Sequence, residues 1–287
     1  MLRGQDLLSL ADHDAADLIG ILERAQDLAS AWAVRRMPQS LDGRRVGLVV
    51  DDSGWRNTTA FDLGVQAMGG LCVHAPISLG DGREPLSDLA GYLDNWLDGL
   101  VIRTPELSAL RDLARTAKTP VVNARTRTNH PCETLGDLAF VMSQRRSIDG
   151  LRVAVVAPEA NILGSWVEAA AALPIDVVQV YPACWHVAPA GRPARFRTSD
   201  DLGELNAVDL IVTDCWPKDG DAEQLAAYQI TGSVLEATSA LFVPCPPVYR
   251  GQDVSADAML HPRCRVRDAK AFLLHAQNAA LEAILAR

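Results

Sequence analysis

The sequence predicts an α/β protein with two doubly wound parallel-sheet domains and a functional site in the cleft between them. Short apolar runs, typical of buried parallel strands, alternate with helical segments along most of the chain. The alternation starts afresh at Gly150, and 287 residues with a hydrophobic fraction of 48% are enough for two cores. Because ligands bind beyond the carboxyl ends of parallel strands, functional side chains are expected in the loops after the strands.

The first half begins with an amphipathic helix over residues 14–31, whose single apolar stripe indicates a surface position. A buried strand over 44–50 leads through a small-polar loop, residues 51–59, into a helix over 60–68. The remaining strands and helices of this half are expected at 71–75, 85–97, 99–102, 106–116 and 121–123.

The second half repeats this pattern. Its strands are expected at 151–156, 175–180, 210–212 and 240–243, and its helices at 163–172 and 268–285. We place the boundary in the stretch 145–150, so that residues 1–145 and 146–265 form the two domains. The last segment, residues 266–287, is expected to cross back and pack on the first domain.

The loop at 51–59 joins the end of a strand to the start of a helix. Unpaired backbone amides and the helix dipole at such a junction favour an anion, and Arg56 adds a full positive charge. The loop has neither a Walker motif nor GxGxxG spacing, so it indicates a phosphate site only weakly by itself.

Composition excludes several classes of function. A net charge of −9 and a pI near 5.1 argue against nucleic acid as a partner, because binding a polyanion needs clustered Lys and Arg. No apolar run is long enough to span a bilayer and no secretory leader is recognisable, so a cytoplasmic protein without a membrane partner is expected. The six cysteines form no CxxC pair, so neither disulfides nor a metal site is expected.

Four short motifs occur in a characteristic order. They are His-Pro-Cys-Glu-Thr-Leu-Gly-Asp at 130–137, Asn-Ile-Leu-Gly-Ser at 161–165, Asp-Cys-Trp at 214–216 and Cys-Pro-Pro-Val-Tyr-Arg-Gly-Gln-Asp-Val at 245–254. They resemble the His-Pro-x-Gln-x-Leu-x-Asp, Asn-Asn-Val-x-x-Ser, Asp-x-Trp and His-Cys-Leu-Pro segments of the aspartate and ornithine transcarbamoylases, and are closer to the ornithine branch. The resemblance implies transfer of a carbamoyl group from carbamoyl phosphate to an amine, without a cofactor. The first domain would bind carbamoyl phosphate and the second domain the amine.

The first signature of the family, Ser-Thr-Arg-Thr-Arg, is altered here. It aligns with residues 54–58 if Phe61 is the family's buried Phe, or with 53–57 if Ser53 is the anchor. We prefer the first alignment because it keeps the spacing from Phe61 to the Gly69 turn. It places Arg56 on the central phosphate-binding arginine of the family.

The resemblance also implies roles for individual residues. Arg56 and Arg103 would hold the phosphate, and His130 and Arg250 would donate to the carbamoyl oxygen. The acceptors for the carbamoyl NH2 would be Glu133 and the backbone at Cys245 and Pro246. The remaining residues expected around the phosphate are Trp55, Asn57 and Thr58, with Arg83 supplied by a neighbouring subunit of a homotrimer.

Two of these positions carry a substitution with a physical consequence. Glu133 replaces a Gln, and its charge near a phosphate is unfavourable unless a cation pairs with it or it is protonated. Trp55 replaces a small residue with a hydroxyl group and could fill part of the phosphate site.

The amine would be held by Asp214 and Cys245. The Ser-Met-Gly loop that covers ornithine in the family is replaced by Lys218, Asp219 and Gly220, so we expect another small amine, with Asn161 binding its α-amino or carboxylate group. The alternative for Lys218 and Asp219 is an ordinary solvated turn.

The favoured function is therefore a specialised, secondary-metabolic carbamoyltransferase acting on a small amino acid or related amine. The alternative is an inactive paralogue that serves as a binding or regulatory subunit. A nicotinamide dehydrogenase is weaker still, because the glycine fingerprint is missing.

Overall fold

The computed structural model describes residues 2–50, 54–77, 79 and 84–286, and these form two parallel sheets flanked by helices. The first sheet has the strand order β2-β1-β3-β4 and the second the order β7-β6-β5-β8-β9. Every neighbouring pair of strands is parallel. The predicted fold class is confirmed.

The first sheet and its first four helices follow the predicted order. The strands are β1 (Arg45–Val49), β2 (Leu71–His74), β3 (Gly99–Arg103) and β4 (Val121–Arg125). The helices are α1 (Ala15–Ala33), α2 (Trp55–Ala67), α3 (Leu86–Trp96), α4 (Leu107–Thr116) and α5 (Pro131–Arg145). The central strands β1 and β3 are buried along nearly their whole length, as their continuous apolar runs predict.

The second sheet contains one strand more. Its strands are β5 (Arg152–Val156), β6 (Asp176–Val180), β7 (Phe196–Ser199), β8 (Leu210–Thr213) and β9 (Leu241–Pro244). The helices that accompany it are α6 (Asn161–Ala172), α7 (Ala222–Ala226) and α8 (Gly232–Ala237), and α9 (Val266–Leu285) follows them. The sequence did not predict β7, because a four-residue edge strand with one buried side chain has no strong pattern.

Helix α2 begins at Trp55 rather than at residue 60. Asn57 and the two threonines after it are weak helix formers, which is why this stretch resembles a loop. Burial of Asn57, Ala60 and Phe61 against the rest of the molecule outweighs that preference. The predicted buried Phe is confirmed, since Phe61 is fully enclosed.

Helix α5 was not predicted. Twelve consecutive residues, Pro131–Met142, are buried, polar ones among them, so polarity does not separate a buried from an exposed face and no period of 3.6 could be recognised. Pro131 stands at its first position, where a missing N–H costs nothing.

Helix α9 packs on α1, α2 and α5 of the first half. Gly136 makes the contact with α5 close, because a Cβ at that position would lie 2.9 Å from the Cα of Leu273. This close approach brings the first turns of α9 beside the residues of α5 that face the cleft. Among the described residues no helix is long and apolar enough to cross a membrane.

Candidate active site

A cleft of about 780 Å³ lies beyond the carboxyl ends of the strands of both sheets. One side, here called the first wall, is lined by Gly54, Arg56, Asn57, Arg103, Arg125, Arg127, His130 and Glu133. The opposite side, the second wall, is lined by residues of the segments 158–162, 214–218 and 245–249, together with Trp185. Parallel strands place these loops together, as the sequence predicts.

Most of the residues proposed for the site lie in this cleft. They are Arg56, Asn57, Arg103, His130, Glu133, Asn161, Asp214, Lys218, Cys245 and Pro246. Four do not line it: Trp55, Thr58, Asp219 and Arg250. Arg83 falls outside the described residues.

The four residues that do not line the cleft either make contacts within α2 or are exposed to solvent. Trp55 is 58% exposed, and the guanidinium carbon of Arg56 lies 4.8 Å from the centre of its ring, so the indole does not fill the phosphate site. The Thr58 hydroxyl donates to the carbonyl of Gly54 in its own helix (3.3 Å). Asp219 and Arg250 are exposed.

The predicted phosphate site on the first wall corresponds to the start of α2. Among the described residues no side chain caps this helix at Gly54, and none therefore competes with an anion for its first backbone amides. A Cβ on Gly54 would lie 3.0 Å from Cδ of Arg103 and 3.4 Å from its Nη1. Glycine therefore lets Arg103, from the end of β3, lie directly over the helix start.

His130 occupies the N-cap position of α5 and is held on two sides. Its backbone N–H donates to Ser165 Oγ (2.7 Å), and its Nε2 lies 3.3 Å from Nδ2 of Asn57. Asn57 is itself oriented by Gln277 of α9, whose amide donates to its Oδ1. Burial lowers the pKa of His130 to about 4 despite the nearby Glu133 carboxylate, so the imidazole is neutral at pH 7.

Glu133 has the cationic partner that its substitution requires. Lys270 of α9 contacts Glu133 Oε1 and donates to Asp137 Oδ1 at 2.8 Å, and all three side chains are almost fully enclosed. Burial alone would raise the pKa of Glu133, but Lys270 holds it below its usual value. Burial raises the pKa of Asp137 to about 6. The second oxygen of Glu133, Oε2, lies 3.7 Å from Nε2 of His130.

Asp214 and Cys245, the two residues predicted to hold the amine, both line the second wall. Asp214 follows β8, and its Oδ1 accepts from the backbone N–H of Cys215 (2.8 Å). Burial raises the pKa of Asp214 to about 6. Burial also raises the pKa of the Cys245 thiol well above its ordinary value, so this cysteine is a neutral thiol and not a nucleophile.

Sequence reasoning missed three charged residues of the first wall and its support. Arg125 and Arg127 line the cleft after β4, a position that the strand-end rule could have indicated. Arg127 donates to Glu106 Oε1 (2.8 Å), whereas no described residue forms a hydrogen bond or ion pair with the Arg125 side chain. No local sequence pattern links Lys270 to Glu133. Glu133 and Asp137, however, are four residues apart on one helix face, and two such acids indicate a cation between them.

In its fold the molecule is an α/β protein with two parallel sheets, and its cleft presents arginines on one wall and a carboxylate on the other. Residues 5–143 match the model of the aspartate/ornithine carbamoyltransferase carbamoyl-P binding domain, and residues 149–284 match that of the Asp/Orn binding domain. The chain belongs to the aspartate/ornithine carbamoyltransferase family, on the ornithine side. The predicted enzyme class, a carbamoyltransferase, is confirmed.

Individual relatives are similar over their whole length. An ornithine carbamoyltransferase of Syntrophus aciditrophicus is 30% identical over 301 residues, which cover 98% of this chain and 99% of the relative. One of Nitrosococcus oceani is 31% identical, with 97% and 96% covered. The crystal structure of ornithine carbamoyltransferase from Burkholderia thailandensis superposes with a TM-score of 0.90 at 27% identity, covering 98% of each chain.

Proposed function

We propose that this enzyme transfers a carbamoyl group from carbamoyl phosphate to the amine of a small amino acid or related amine, in a specialised metabolic role. The single observation that carries the proposal is the arrangement of one cleft. A cationic helix start with Arg56 and Arg103 lies on the first wall, and a half-buried carboxylate, Asp214, lies on the second wall.

The first domain, residues 1–145, binds carbamoyl phosphate in this proposal. The phosphate lies at the start of α2, where Arg56 and Arg103 neutralise its charge with guanidinium forks. Neutral His130, in the tautomer with the proton on Nε2, donates that N–H to the carbamoyl oxygen, which gains negative charge in the tetrahedral transition state. Glu133, held as a carboxylate by Lys270, accepts from the carbamoyl NH2.

The second domain, residues 146–265, holds the acceptor amine. Asp214 accepts a hydrogen bond from that amine and aligns its lone pair with the carbonyl carbon. The new C–N bond forms as the bond between the carbonyl carbon and the phosphate oxygen breaks, and the proton lost by the amine leaves with phosphate. No covalent enzyme intermediate is needed, in keeping with the neutral Cys245 thiol.

We further propose a homotrimer, in which Arg83 of one subunit reaches the phosphate of the next. Large apolar side chains are exposed on β2 and on the helices beside it, and a neighbouring subunit would cover them. They are Trp55, Leu63, Val73, Tyr92 and Trp96. Sedimentation at micromolar concentration tests this, and a purely monomeric mass contradicts it.

A phosphate-release assay with carbamoyl phosphate and a panel of amino acids and diamines tests the function. We expect turnover with a small amino acid such as 2,3-diaminopropionate and weak turnover with ornithine, because Lys218 and Asp219 replace the Ser-Met-Gly loop. Efficient turnover of ornithine contradicts the specialised role. Carbamoyl phosphate binding without turnover of any acceptor would support the alternative, an inactive paralogue with a binding or regulatory role.

A further inference from the structure

Arg125 is a cation of the proposed active site that has no hydrogen-bond or ion-pair partner among the described residues. It ends β4, lines the cleft and is only partly exposed, and no described residue satisfies its side chain. A partly buried guanidinium is stabilised by a carboxylate or phosphate, since both accept its paired N–H groups. Its neighbour Arg127, which lines the same cleft, has such a partner in Glu106.

The position of Arg125 favours the acceptor over the phosphate. The residue after it, Thr126, accepts at its carbonyl from the side-chain amide of Asn161 (3.1 Å), the first residue of α6. The Arg125 backbone is thus beside the second wall, whereas Arg103 on the adjacent strand lies over the start of α2. Burial dominates the pKa values of His130 and Asp214, and in each the Arg125 charge acts to lower the pKa. A charge felt at both residues lies within reach of a ligand held between them.

The Asn161 contact has a second consequence. Asn161 was expected to bind the α-amino or carboxylate group of the acceptor, but its side chain is neutral and one of its N–H groups donates to the carbonyl of Thr126. Lys218 is exposed at the rim of the cleft. Arg125 is therefore the better placed cation for an anionic group of the acceptor.

We propose that Arg125 binds a carboxylate or similar anion of the acceptor and thereby selects acceptors that carry such a group beside the reacting amine. This inference rests on the proposed carbamoyl transfer and adds its substrate class. Acceptors without the anion leave a desolvated guanidinium unpaired, which is the stronger source of discrimination.

The test compares amines in matched pairs, each amino acid with its decarboxylated counterpart, such as 2,3-diaminopropionate with 1,2-diaminoethane. The wild type should favour the acid in kcat/KM. Arg125→Met should lower kcat/KM for the acid about 30-fold or more and leave the diamine within about threefold. Arg125→Lys should retain most of the preference because it keeps the charge. Arg127→Met is the matched control, since it removes a charge from the same wall, and it should preserve the preference.

Carbamoyl phosphate binding is measured by calorimetry in the same variants and should be unchanged by Arg125→Met. A comparable weakening there would assign Arg125 to the phosphate and overturn the proposal, as would a wild type that does not discriminate within the pairs. If no amine is carbamoylated, the proposed function fails by itself. The role of Arg125 is then tested by titrating the amino acids into the enzyme with carbamoyl phosphate bound. Binding lost in Arg125→Met supports the anion site, and equal or absent binding in wild type and variant overturns it.

Discussion

The two walls of the cleft differ in charge and in how they are supported. The first wall carries Arg56 and Arg103 at the start of α2 and Arg125 nearer the second wall, and Lys270 of α9 pairs with Glu133. The second wall offers Asp214 and the Cys245 thiol from loops after β8 and β9. A cationic wall fits an anion that must be held, and a wall with a poised carboxylate fits a neutral amine that must be aligned. The opposite charges of the two walls therefore suit the two different substrates of the proposed reaction.

Removing the contact between α9 and the first wall should have the largest effect, and that effect is on stability. Lys270→Met leaves Glu133 and Asp137 buried without their cation, which should lower the free energy of unfolding by about 3–5 kcal/mol. Chemical denaturation measures this loss. The control is Lys270→Met combined with Glu133→Gln and Asp137→Asn, which removes all three charges and should recover most of the stability. No recovery would mean that packing, not charge, explains the loss.

The substitution Arg56→Ala removes one positive charge from the first wall. Loss of one guanidinium from a desolvated phosphate site should weaken carbamoyl phosphate binding by about 2–5 kcal/mol. Calorimetry measures the change, and Arg111→Ala, which removes an arginine paired with Asp12 outside the cleft, is the matched control. Undiminished binding in Arg56→Ala would contradict the assignment of this wall to phosphate.

Titration of Asp214 sharpens the description of the second wall. Its pKa of about 6 is above the usual value, so the Asp214 side chain is mostly ionised only above that pH. Activity should therefore fall as pH decreases through 6. Stability should change in the opposite direction. The folded state binds the proton of Asp214 more tightly than the unfolded state does, so the free energy of unfolding should increase as pH decreases from 6 to the ordinary pKa. Asp214→Asn should abolish activity and raise the free energy of unfolding at pH 7 by about 2 kcal/mol. Asp137 has a similar pKa, and an unchanged inflection in Asp137→Asn excludes that residue as the source of the inflection.

The rim of the second wall should give the smallest effect. Lys218 is exposed, so Lys218→Ala should raise KM for the acceptor by less than about tenfold and leave kcat unchanged. Steady-state kinetics with the best acceptor measure this. No change at all would favour the solvated turn.

The sequence predicted the sheets, their order along the chain and ten residues of the cleft, because parallel strands and family motifs both have local patterns. It did not predict α5, whose burial on all sides removes the periodicity that identifies a helix. It also missed the pairing of Lys270 with Glu133, since that contact depends on how α9 packs on α5. The exposed position of Trp55 follows from the early start of α2, which directs this residue away from the cleft.

The distance along the chain between Lys270 and its partners has a consequence for biosynthesis. Lys270 lies 133 positions after Asp137, so both acids leave the ribosome long before their cation. A nascent chain that ends before α9 would have two buried carboxylates without compensation and an apolar α5 without its cover. We expect residues 2–145 made alone to remain unfolded, and a separate peptide of residues 266–286 to restore structure when added. Completion of the phosphate half would then be a late event in synthesis, delayed until the second domain has been made.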